Sequence, residues 1–92
     1  MKTTMKQQFD AIKNEYNDVL LLFRVGGVYE AYYDDAKDVA MILGITLTTS
    51  SRRVDESGTE VSLAYFPFNY LDDFLPRIVR AGRRVAICDS IL

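Results

Sequence analysis

Turn-forming, aromatic and acidic residues crowd into one run of this chain, Gly26-Gly27-Val28-Tyr29-Glu30-Ala31-Tyr32-Tyr33-Asp34-Asp35-Ala36. Their order suits recognition better than covalent chemistry. A Gly-Gly pair turns the chain and lets its backbone approach a ligand closely. In an extended segment residues two apart share a face, so Val28 and Glu30 point one way and Tyr29 the other. Glu30, Asp34, Asp35 and Asp38 also form an acidic cluster. Oxygen-ligated metals and metal-dependent nucleases use such groups, but a solvated helix face accounts for the same residues, because Asp34 and Asp35 would complement the dipole of a first helical turn. No metal or cofactor is expected, and no catalytic residue is assigned.

Other chemistry is excluded by composition. There is no histidine, so imidazole acid–base catalysis and the commonest metal ligand are missing. The lone Cys88 has no internal disulfide partner, which fits a reducing, cytoplasmic setting. Arg52 and Arg53 in one polar stretch, and Arg77, Arg80, Arg83 and Arg84 around the expected third helix and last strand, are candidate phosphate contacts; Arg52, Arg53, Arg77 and Arg80 are the ones singled out. The bland reading of these arginines is a solubilising surface paired with nearby carboxylates. Most of the six tyrosines and five phenylalanines fall on apolar faces, as core packing requires. Tyr32, Tyr65, Phe68 and Tyr70 are the rings whose exposure beside the Gly26-Gly27 turn would mark an interface with DNA or protein.

These residues need elements to hold them. Met5, Phe9, Ile12 and Tyr16 recur at helical spacing, so a first helix, capped by Thr3 or Thr4, is expected to run to about Tyr16. The run Val-Leu-Leu-Leu-Phe-Arg-Val at 19–25 reads as a buried central strand, and 28–31 as an extended segment after the glycine turn. A second helix over 33–43 carries the stripe Ala36, Val39, Ala40 and Leu43, and Gly44 ends it. Residues 45–49 read as a β-branched strand, 50–58 as a polar loop holding Arg52-Arg53, and 60–66 as a strand stopped by Pro67. Asn69 can cap a third helix with Leu71, Phe74, Leu75, Ile78 and Val79 inward. Pro76 inside that helix predicts a kink or break, Gly82 closes it, and 84–88 make a last strand. The order α-β-β-α-β-β-α-β implies an α/β (α+β) fold, a mixed β-sheet flanked by about three helices.

The bulk numbers agree. A chain of 92 residues supports one domain, here residues 1–92, burying roughly 60–65% of its unfolded surface. Hydrophobic residues make up 49% and charged residues 26%, which argues against disorder. The net charge of −2 weighs against strong stand-alone nucleic-acid binding, which favours a basic excess. No stretch approaches the apolar length of a membrane span, so no membrane partner is expected.

Several motifs, in order and at near-matching spacing, resemble the N-terminal mismatch-recognition domain (domain I) of the MutS family of DNA mismatch repair proteins. Thr3-Thr4-Met5-Lys6-Gln7-Gln8-Phe9 is similar to the family's opening Thr-Pro-Met segment, with Thr4 in place of proline. Phe23-Arg24-Val25-Gly26 resembles its Arg-x-Gly strand end, Tyr33-Asp34-Asp35-Ala36 its Tyr-Asp-Asp-Ala helix start, and Leu43-Gly44-Ile45-Thr46-Leu47-Thr48 its Leu-x-Ile-Thr-Leu-Thr run. Ala64-Tyr65-Phe66-Pro67-Phe68-Asn69 is an altered form of its Ala-Gly-x-Pro-Tyr-His. Val79-Arg80-Ala81-Gly82 through Val85-Ala86-Ile87-Cys88 looks like its closing helix and strand.

The resemblance implies that Gly26, Gly27, Val28, Tyr29 and Glu30 form the mismatch-reading segment, in which the family uses Gly-x-Phe-Tyr-Glu: the phenylalanine wedges into the duplex and the glutamate hydrogen-bonds the mispaired base. Glu30 matches; Val28 stands at the wedge position and Gly27 at the preceding acidic one. The implied partners are duplex DNA at a mismatched or distorted site and other domains or proteins of a repair complex. The implied role is non-catalytic, since the family's ATPase lies in other domains and no Gly-x4-Gly-Lys-Ser/Thr occurs here. Valine has no π face, so an alternative stays open: a domain that keeps the fold, has lost mismatch reading and serves as a protein-interaction module.

Overall fold

The computed structural model describes residues 5–54, 58 and 60–89. The elements follow the expected order: α1 (Met5–Glu15), β1 (Val19–Val25), β2 (Val28–Tyr32), α2 (Tyr33–Leu43), β3 (Thr48–Val54), β4 (Glu60–Pro67), a 3-10 turn (Phe68–Tyr70), α3 (Leu71–Arg80) and β5 (Arg84–Asp89). The strands make one mixed sheet in the order β3-β4-β2-β1-β5. Only β1 and β5 run parallel; the other neighbours are antiparallel. This is the α+β architecture that the sequence implies.

The apolar run of β1 is buried from Val19 to Phe23 because both sheet faces are covered. On one face Leu20, Leu22, Tyr29, Ala31 and Phe66 pack against Ala36, Val39 and Leu43 of α2 and Ile78 of α3. On the other, Leu21, Phe23, Tyr32, Val61 and Leu63 pack against Phe9 of α1, with Ile12 at the margin. Gly44 ends α2 in the left-handed region at φ 69°, its N–H bonded to the Ala40 carbonyl.

Local expectations fail where tertiary pairing decides. β3 begins at Thr48, three residues later than the β-branched run suggests, because its ladder with β4 starts at Thr48↔Leu63. Arg52 and Arg53 therefore lie in an edge strand and not in a loop. Asn69 sits inside the 3-10 turn, and Tyr70 takes the N-cap position of α3 without a side-chain bond. α3 is continuous through Pro76. Pro76 and Asp72, whose carbonyl loses its partner, are both exposed, so water can take that bond. Val79, expected inward, is exposed, and so is Tyr16, which shares the helical spacing of Phe9 and Ile12. Thr3 and Thr4 lie outside the described residues, as does the side chain of Met5.

Asp35 is the other departure. It was expected on a solvated face and is only 3% exposed. Its carboxylate accepts the Leu21 N–H at 3.1 Å, beyond the end of the β1–β2 ladder. It also accepts Lys13 Nζ at 3.0 and 3.1 Å. Lys13 reaches on to the Val19 carbonyl, and Arg83 approaches Asp35 at 3.9 Å while bonding Asp38. This polar knot joins α1, β1, α2 and the segment after α3.

Candidate nucleic-acid interface

The hairpin of β1 and β2 closes through two residues, with Val25 opposite Val28. Gly26 takes φ 59° at the first central position, a conformation that two-residue hairpin turns demand and that glycine adopts without strain. Two contacts pin the turn to its neighbours. Arg24 Nε donates to the Gly26 carbonyl at 2.6 Å, and the Phe68 N–H donates to the Gly27 carbonyl at 2.9 Å. The Arg24 guanidinium lies 4.5 Å from the Phe68 ring centroid and 5.5 Å from that of Tyr29, a cation–π arrangement.

The strand register then sorts the side chains. Arg24, Tyr29 and Phe66 form one cross-strand row on the α2–α3 face. Tyr29 is buried there, its ring 5.7 Å from that of Phe66. Phe23, Glu30 and Tyr65 form a row on the α1 face, and Val25, Val28 and Pro67 form the next row on that same face. Here burial fades toward the turn. Phe23 is buried, Glu30 and Val28 are half-buried, and Val25, Tyr65 and Pro67 are exposed. The expected split holds: Val28 and Glu30 share a face that opens beside the turn, and Tyr29 anchors the strand from behind. Tyr32, next along that face, is buried at the edge of the core and donates its hydroxyl to Glu30 Oε1 at 2.7 Å. The carboxylate is thus aimed by its own strand.

The other candidates are placed elsewhere. Arg77 donates to the Leu43 carbonyl at 3.3 Å and stands 5.5 Å from the Phe74 ring. Arg80 is exposed in the last turn of α3. Both belong to the helix on the face opposite Glu30. The side chains of Arg52 and Arg53 lie outside the described residues. Arg84 pairs with Asp18 at 3.0 Å, so Arg83 and Arg84 follow the bland reading. The acidic cluster is divided among separate partners: Asp34 with Lys37 at 3.6 Å, Asp35 with Lys13, Asp38 with Arg83 and Glu30 with Tyr32. Of the rings singled out, Tyr65, Phe68 and Tyr70 are exposed and Tyr32 is not. Burial, and after it the neighbouring Asp89 carboxylate, pushes the Cys88 thiol up, which disfavours the reactive thiolate. Sequence reasoning did not find the Tyr32–Glu30 bond, the Arg24 clamp or the pairing of Tyr65 with Glu30. Only the two-residue spacing of Tyr32 and Glu30 carried a signal for any of them.

The family model for MutS domain I matches residues 3–91. The chain is 49% identical over 85 residues to the DNA mismatch repair protein MutS of Cytophaga hutchinsonii, covering 92% of this chain and 10% of that protein. It is 52% identical over 87 residues to the MutS of Parabacteroides distasonis (95% and 10%), and 47% identical over 89 residues to that of Phocaeicola vulgatus (97% and 10%). The chain thus spans about a tenth of the length of the curated relatives it matches.

Proposed function

The chain belongs to the MutS domain I family, and from that premise we propose that it is a non-catalytic module that reads mismatched or distorted duplex DNA through Gly26, Gly27, Val28, Tyr29 and Glu30. The observation that carries this reading is the open end of the hairpin. There Val28 and Glu30 lie side by side with the Glu30 carboxylate held by Tyr32. An apolar side chain at that tip can enter a weakened base step, at a cost of about a few kcal/mol in unstacking, offset by the contacts of a bent duplex. A carboxylate oxygen accepts hydrogen bonds, so Glu30 can meet a base edge that offers an N–H. Residues 1–92 would act as one such unit, with duplex DNA and the other parts of a repair complex as partners.

Arg52 and Arg53 on edge strand β3 and Arg80 on α3 are proposed phosphate contacts, with Arg77 as a fourth whose fork also holds α2. Contacts of this kind position a duplex without reading its sequence. Among the described residues no helix is long and apolar enough to cross a membrane.

The test is fluorescence anisotropy of the 92-residue chain against matched and G·T-mismatched duplexes at several salt concentrations. Mismatch-selective binding is expected, with a log–log salt slope of about −0.9 per phosphate contact. Neutralising one contacting arginine should flatten that slope by about one unit for every duplex. Absence of binding at low salt would overturn the reading and turn the search to protein partners.

A further inference from the structure

Tyr65 stands in the middle of β4, directly opposite Glu30. It is 53% exposed, while Leu63, Ala64 and Phe66 around it are buried. Directly paired residues of antiparallel strands carry their Cβ atoms about 4.5–5.5 Å apart on one face, and the diagonal neighbours lie about 7–8 Å away, within reach of an aromatic side chain. The diagonal neighbours of Tyr65 on β2 are Val28 and Tyr32. The ring therefore shares a face with the two side chains that the proposed function places against DNA.

Its other flank is open. The ladder between β3 and β4 begins at Thr48↔Leu63, so Tyr65 lacks a ladder partner in β3. Instead Ile45, Thr46 and Thr48 border an open pocket with Tyr65. A large ring, left exposed between a carboxylate and a pocket, contributes little to the core that α1 covers on this face. It does supply what Val28 lacks, a flat π surface.

We propose that Tyr65 is the stacking ring of this reading surface: a mispaired or unpaired base seats on Tyr65 while its N–H donates to Glu30, and Val28 holds the parted base step open. The proposal rests on the reading given above and adds a residue on a different strand to it.

Tyr65→Val and Tyr65→Phe test it in the intact chain. Valine suits a strand and remains apolar but has no π face; phenylalanine keeps the ring and loses the hydroxyl. Anisotropy titrations would use matched and G·T duplexes, and a third duplex carrying 2-aminopurine at an unpaired position, whose fluorescence is quenched by stacking. Thermal melts would check that both variants keep the fold. Tyr65→Val is expected to lose about tenfold in mismatch preference together with the 2-aminopurine quenching, while Tyr65→Phe retains both. If wild type prefers the mismatch and Tyr65→Val prefers it equally, the ring does not read and the proposal fails, while the proposed function stands. An equal loss of affinity for all duplexes in a folded Tyr65→Val would make the ring a general contact and also overturns it. A wild-type chain that shows no preference at all defeats the proposed function and this inference together.

Discussion

In the proposed reading Glu30 must be aimed at a base, and a neighbour two residues along helps to hold its carboxylate. The Tyr32 hydroxyl, buried at the edge of the core, donates to Glu30 at 2.7 Å. A bond of this size contributes about 1 kcal/mol, or about fivefold in an equilibrium. Tyr32→Phe should therefore lower mismatch preference about fivefold and leave matched-duplex affinity nearly unchanged; parallel anisotropy titrations of the two proteins measure this. Equal preference in both would mean that Glu30 finds its orientation without the hydroxyl. At this scale the sequence was partly legible. The two-residue period put Val28 and Glu30 on one face and Tyr29 on the other, and the register agrees. It marked Tyr65 only as a ring to watch for exposure and not as the partner of Glu30, because which residue of β4 meets Glu30 depends on a pairing between strands separated by a helix and another strand.

Elements were most legible where local chemistry is self-sufficient. β1 and α2 have the bounds expected of them, one set by a continuous apolar run and the other by an acidic first turn and a left-handed glycine. β3 and the start of α3 were misplaced, since a ladder and a 3-10 turn set them and neither has a local signature. Asp35 shows the same limit. Its side chain reads as an ordinary N-terminal carboxylate until the Leu21 N–H, left beyond the β1–β2 ladder, is seen to need an acceptor. Asp35→Ala strands that N–H and removes the carboxylate that the half-buried Lys13 faces, so a loss of about 1–3 kcal/mol is expected. Domains of this size hold only about 5–15 kcal/mol in total. Urea denaturation would show the midpoint collapse; a loss under about 1 kcal/mol, the size of an exposed ion pair, would mean that the knot is solvated.

Over the whole molecule, three layers divide the labour. The face under α2 and α3 and the face under α1 each carry a core cluster, and among the described residues burial on the α1 face fades toward the hairpin end. The sheet that carries this end also has a temporal order. β1 is held on one side by β2, its immediate successor in the chain, and on the other by β5, the last strand of the described residues, in the sheet's single parallel pairing. Non-local parallel pairing requires a long loop to close and is slow. As the chain leaves the ribosome, the hairpin and the α2–β4 layer can assemble first, and β1 remains an unfinished edge until β5 arrives. Pulsed hydrogen exchange during refolding should show β1 amides facing β5 protected in the last phase, after those between β2 and β4; simultaneous early protection would refute this order. The hairpin proposed to read DNA would then form early and be braced late, and a chain interrupted before β5 would display it without the strand that steadies β1.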